Sequence, residues 1–162
     1  MQYLIDTHAL LWCAQGNDCI PSDALAVMNG EECFYSVASL WEIAIKQALK
    51  KLDVGFAISE LDRHCRRAGF MRLSIKVAHL ERIRELPDIH RDPFDRLLVA
   101  QAIEENMAIV TCDRLIPQYP VQTIWQSELG LRNGIVHNRA RPPAFGHGVC
   151  GRNAPCGGKR KE

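Results

Sequence analysis

At 162 residues, 47% hydrophobic and 24% charged, the chain has the length and composition of one ordinary globular domain, which excludes a collagenous, low-complexity or membrane-embedded protein. The formal net charge of +1 conceals an uneven distribution. Residues 131–162 carry seven Lys or Arg against the single acid Glu162, so residues 1–130 keep thirteen basic side chains against eighteen acidic ones.

Gln2–Ile5 is predicted as a short buried strand that stops at the polar pair Asp6-Thr7, with a helix over Thr7–Cys13. The opening MQYLIDTHALLW has no basic leader and is interrupted by Asp6 and His8, and no stretch reaches 18 apolar residues. The expectation is a cytoplasmic protein without signal peptide or membrane span. Ser22 or Asp23 can cap a helix running to Met28, which Asn29-Gly30 ends. Cys33–Val37 is the next strand candidate. Ser39–Lys50 is the clearest helix, with Leu40, Ile43, Ala44 and Ala48 on one face and lysines in its last turn, where the helix dipole favours them. A helix over Ser59–Ala68 stops at Gly69, Met71–Leu73 is a possible strand, and Ile75–Leu86 reads as a helix ended by Pro87. Phe94–Asn106 is another helix, Ala108–Cys112 a strand, and Val121–Ile124 a last strand.

Strands alternating with helices predict an α/β fold with a parallel sheet and helices on both faces. No internal repeat occurs. From about Leu131 the periodicity fails in a Gly-, Pro- and Arg-rich run, so the expected organisation is one domain over residues 1–128 and a basic, disordered tail over 129–162. Seven cysteines without any C-x-x-C pair argue against zinc and a disulfide framework, and for reduced, mostly buried thiols.

The acids carry the chemistry. Asp6 falls at the end of the first predicted strand and Asp113 at the end of the A-I-V-T-C strand. Ligands bind outside the carboxyl ends of parallel strands, so these two carboxylates are expected at one sheet edge. Each alone would more simply be a polar turn residue. Glu42 stands three residues after Ser39, a capping-box spacing that by itself explains it as a helix-start residue. In HRDPFDRLL, residues 90–98, Pro93 suits the first helical position. Asp92 is then the N-cap, pushed toward extended backbone by the following proline. Asp95, in the first turn of a largely apolar helix, has no sufficient local role and is the better candidate for chemistry.

Taken together, L-I-D-T-H-A-L-L-W, S-V-A-S-L-W-E-I-A-I-K, H-R-D-P-F-D-R-L-L-V-A-Q-A and I-V-T-C-D-R-L-I-P-Q-Y-P-V resemble the PIN domain, more narrowly the VapC-type toxins of prokaryotic toxin–antitoxin pairs. The resemblance covers about residues 1–125 and places four acids in the family's order; the tail does not share it. It implies a PIN-like fold, a short central parallel sheet flanked by helices on both faces. It also implies a metal-dependent endoribonuclease held inactive by a cognate antitoxin and commonly dimeric. In that family the positions of Asp6 and Asp95 are the core metal ligands, those of Glu42 and Asp113 complete the acidic pocket, and hydroxyls matching Thr7, Ser36 and Thr111 support them.

Physical chemistry agrees with that implication. Converging carboxylates raise one another's pKa unless a cation neutralises them. An all-oxygen site suits Mg²⁺ or Mn²⁺, one ion or two, and the expected reaction is hydrolysis by metal-activated water leaving a 5′-phosphate and a 3′-hydroxyl. Asp92 at the pocket rim can assist through water. Arg91, Arg96 and Arg114 flank the acids, where phosphate contact and simple solvated charge weigh equally. His8 and His90 are conceivable ligands or relays, with packing or hydrogen-bonding imidazoles the simpler reading. Arg63, Arg66 and Arg67 read as a solvated face, and Trp12, Trp41 and Trp125 as core or dimer contacts. Two rivals of the same fold are a module that binds RNA or a partner without cutting, and a DNA-directed nuclease. A phosphoacceptor receiver fits poorly, because no lysine ends the late strand before Pro120.

Overall fold

The computed structural model describes residues 1–125; the expected basic tail lies outside them. In chain order the elements are β1 (Gln2–Ile5), α1 (Thr7–Gln15), α2 (Ser22–Gly30), β2 (Glu32–Ser36), α3 (Val37–Ala48), α4 (Ile58–Arg67), β3 (Met71–Leu73), α5 (Val77–Glu85), α6 (Pro93–Glu104), β4 (Ala108–Val110), a 3₁₀ turn at Ile116–Gln118, and β5 (Thr123–Ile124).

The strands form one parallel sheet in the order β3-β2-β1-β4-β5. From β1 the chain builds outward through β2 to β3, then returns to the far side of β1 for β4 and β5. The strand order therefore reverses between β1 and β4, where Ile5 lies opposite Val110. In open parallel sheets a ligand crevice opens at such a reversal, outside the carboxyl ends of the strands.

Alternation along the strands divides the core in two. Ile5, Tyr35 and Val110 face a cluster with Leu10, Ala24, Ile43 and Leu61, contributed by α1 to α4. Leu4, Leu73 and Ile109 face a second cluster with Leu98, Val99 and Ala102, to which α5 adds Ile83. Helix α6 has six consecutive buried residues, Leu97–Ala102, because it is enclosed by α5, α3 and the sheet. A helix apolar all round is a buried helix, and this one carries an acid in its first turn. It ends where Asn106 adopts a left-handed conformation (φ 53°), with the Met107 N–H returning to the Ala102 carbonyl at 2.8 Å.

Two local expectations are corrected. Helix α2 starts behind Pro21 with no side-chain cap, so neither Ser22 nor Asp23 caps it. Helix α3 starts at Val37, two residues before Ser39, and Ser36 is its N-cap, accepting the Ala38 N–H at 2.9 Å. The Ser39–Glu42 capping box therefore does not exist. The thiols of Cys13, Cys33, Cys65 and Cys112 are free. Among the described residues no helix is long and apolar enough to cross a membrane.

Candidate functional site

Asp6 follows β1 directly and is the N-cap of α1 by its extended backbone (φ −63°, ψ 152°), yet its carboxylate makes no cap bond. It turns instead to the residue just after β4, where Oδ2 accepts the Thr111 hydroxyl at 2.9 Å. The same Thr111 oxygen accepts the Asp113 N–H at 3.0 Å, so one hydroxyl ties the ends of β1 and β4 together. Asp113 then closes a turn, its Oδ1 accepting the Leu115 N–H at 2.7 Å.

Glu42, freed from any capping role, is buried and points toward α1. Its Oε2 lies 2.7 Å from the Thr7 hydroxyl, which is also 3.0 Å from Ser39 Oγ. Thr7 has one proton to give, and the carboxylate takes it, leaving Ser39 to donate to Thr7. The other Glu42 oxygen pairs with Lys46 one turn along the same helix. Lys46 is not among the site residues expected from sequence, and Ser39 enters there only as a helix cap. Lys46 had a legible signal, since a Glu followed four residues later by Lys is a helical ion-pair spacing.

The two aspartates of HRDPFDRLL separate as expected. Asp92 caps α6, its Oδ1 accepting the Phe94 N–H at 2.9 Å with Pro93 in the first turn. Asp95 makes no hydrogen bond or ion pair among the described residues, and its carboxyl is pushed up to about 7. Burial is the main cause, and the negative charges of Asp92, Asp6, Glu42 and Asp113 add to it. Those four charges acting on one carboxyl bring all the expected acids into one electrostatic neighbourhood. Asp6 is also raised, first by burial and further by Glu42, against lowering by His8 and by hydrogen bonds from Thr111 and the Thr7 backbone.

His90 joins this group. It is buried, with Nε2 3.2 Å from Asp113 Oδ2. One donor atom each from His90, Asp95 and Asp113 lie within 4.8 Å of one another, close enough to hold one metal ion. His8, by contrast, is exposed beside Trp12.

Of the three supporting hydroxyls, Thr7 and Thr111 touch the acids. Ser36 does not: it caps α3 and donates to Gln101 Oε1 at 2.6 Å, which locks α3 to α6 from within the core. Of the three flanking arginines, Arg91 and Arg114 are exposed and form no ion pair among the described residues. Arg96 is committed elsewhere, its terminal nitrogens donating to the carbonyls of Ile83, Leu86 and Pro87 at 2.9–3.2 Å and so satisfying the end of α5. Arg63, Arg66 and Arg67 are exposed on α4, with Arg66 paired to Asp62. Trp12 packs on Trp125, while Trp41 is 55% exposed and stands edge-on to Phe94.

A protein-family model described as the PIN domain matches residues 3–121. Among solved structures, a chain of the crystal structure of VapBC2 from Rickettsia felis bound to a DNA fragment from their promoter superposes with a TM-score of 0.59. It is 17% identical over 78% of this chain and all of that one, a likeness of fold. No curated protein matches the sequence.

Proposed function

Because the chain belongs to the PIN domain family, we propose that it is a metal-dependent endoribonuclease, the toxin of a VapBC-type toxin–antitoxin pair. The observation that carries this reading is the gathering of Asp6, Glu42, Asp95 and Asp113 at the strand-order reversal, with Asp95 pushed up to about 7 by burial and by the others.

The donor set fits a hard divalent cation. Neither Asp6 nor Asp95 has an ion-pair partner among the described residues, and Lys46 serves Glu42 alone. Such charges are costly without a counter-ion, and carboxylate oxygens are the ligands that Mg²⁺ and Mn²⁺ prefer. Asp6, Asp95 and Asp113 would hold the ion, with Glu42 at the edge of the pocket. When bound, it supplies a Lewis acid for the phosphodiester oxygens and lowers the pKa of water. The remaining work belongs to the chain. Thr111 holds Asp6 and the start of the Asp113 turn in register, and Thr7 orients Glu42. Arg91 and Arg114, exposed beside the acids, attract the RNA backbone.

The cognate antitoxin is proposed as the inhibitory partner, by the likeness to the VapC-type toxins. A homodimer is proposed through α3 and its C-cap, where Trp41, Ile45 and the C-cap Leu49 are exposed at 55%, 36% and 57% at intervals of four residues. The test of the activity is direct. The purified chain with Mg²⁺ or Mn²⁺ should cut RNA internally to fragments with 5′-phosphates, and excess EDTA should stop it. Cation binding without cleavage would leave a binding module, and cleavage of DNA alone would assign a DNA-directed nuclease.

A further inference from the structure

Tyr119 and His90 form a buried pair that the acidic site does not itself require. Their rings stack with centroids 5.5 Å apart and planes 4° from parallel. The Tyr119 hydroxyl accepts the His90 backbone N–H at 2.9 Å and lies 3.2 Å from His90 Nδ1. Tyr119 is 3% exposed and His90 4%, so water is excluded and the hydroxyl proton needs a protein acceptor. Among the described residues His90 Nδ1 is that acceptor. A neutral imidazole whose Nδ1 accepts carries its proton on Nε2. That N–H faces Asp113 Oδ2 at 3.2 Å, while the other carboxylate oxygen is held by the Leu115 N–H at 2.7 Å.

We propose that His90, oriented by Tyr119, is a positioning residue that donates from Nε2 to Asp113 and fixes that carboxylate in the pose that binds the cation, without being a ligand itself. The arrangement joins two loops: His90 precedes the α6 cap at Asp92, and Tyr119 follows the 3₁₀ turn after Asp113. One hydrogen-bond chain therefore sets the loop carrying Asp113 against the launch point of the helix carrying Asp95. Donor groups behind a ligand commonly govern affinity by 10- to 100-fold. The proposal rests on the cation site proposed above.

The test measures Mn²⁺ binding by calorimetry, with electron spin-echo spectroscopy of the bound Mn²⁺ for nitrogen coupling. Tyr119→Phe keeps the stacked ring but removes the hydroxyl, His90→Phe removes the donor, and His90→Gln restores an N–H near the Nε2 position. The full chain should bind Mn²⁺ with no imidazole nitrogen coupling. His90→Phe should bind about 10- to 100-fold more weakly, Tyr119→Phe by a smaller factor, and His90→Gln should recover much of the loss. Thermal unfolding of the metal-free proteins identifies any variant that fails to fold, and Tyr119→Phe, which changes one atom, keeps the test decisive if His90→Phe does. Wild-type affinity in both His90→Phe and Tyr119→Phe would overturn the positioning role and leave the cation site standing. Strong nitrogen coupling would overturn it by making His90 a ligand. Absence of any Mn²⁺ binding by the unaltered chain would remove both readings together.

Discussion

Asp95→Asn should stabilise the metal-free protein at neutral and alkaline pH. The Asp95 carboxyl stands at about 7 instead of the ordinary 3.8, chiefly through burial and then through Asp92, Asp6, Glu42 and Asp113. Between these two values the folded state retains a proton that the unfolded chain has released, so stability falls as pH rises through the window. A shift of roughly three units corresponds to at most about 4 kcal/mol, and partial exposure of the residue reduces this to on the order of 2–3 kcal/mol. Asparagine has nearly the same shape and no charge, so it is spared that loss. The assay is urea unfolding in EDTA at closely spaced pH values from 4 to 8.5. The advantage of Asp95→Asn over the unaltered chain should be smallest near pH 4 and should grow to its full value above pH 7. Added Mn²⁺ should raise the stability of the unaltered chain at pH 8 and leave the variant almost unmoved. Parallel pH profiles for the two proteins in EDTA would refute the claim that Asp95 is an acid strained by its neighbours.

Three further outcomes follow from particular contacts. Asp92→Ala removes the α6 cap and should cost about 1 kcal/mol by denaturant unfolding, whereas Asp92→Asn, which can still accept the Phe94 N–H, should cost much less; equal losses would argue against the cap. Thr111→Val deletes the hydroxyl shared by Asp6 and the Asp113 backbone and should cost about 1–3 kcal/mol while weakening Mn²⁺ binding in calorimetry. Leu49→Glu, at the exposed C-cap of α3, should convert a dimer to a monomer in light scattering with its melting temperature little changed; an unaltered mass would place any dimer contact elsewhere.

The order of strands and helices was legible because each element carries its own local signal. Asp92 and Asp95 were separable because proline has one preferred place in a helix and forces the residue before it into extended backbone. The start of α3 was less legible, for a related reason. The stretch S-V-A-S offers two serines, and spacing to Glu42 favours Ser39, but β2 extends only to Ser36 and the chain turns into α3 there. Strand pairing in the sheet, which spacing does not reveal, decides between the two caps. The commitment of Arg96 to the end of α5 depends on how two helices pack, and the attachment of His90 depends on Tyr119, 29 residues later. Contacts of that range have no periodicity to betray them.

The most direct measurement compares Mn²⁺-dependent RNA cleavage by the unaltered chain, Asp6→Asn, Asp95→Asn and Asp92→Asn, each first shown to be folded. Asp6→Asn and Asp95→Asn should lose cleavage by at least about a hundredfold, on the order of 3 kcal/mol in the barrier, while Asp92→Asn stays active. Cleavage that survives Asp95→Asn and disappears with Asp92→Asn would contradict this assignment.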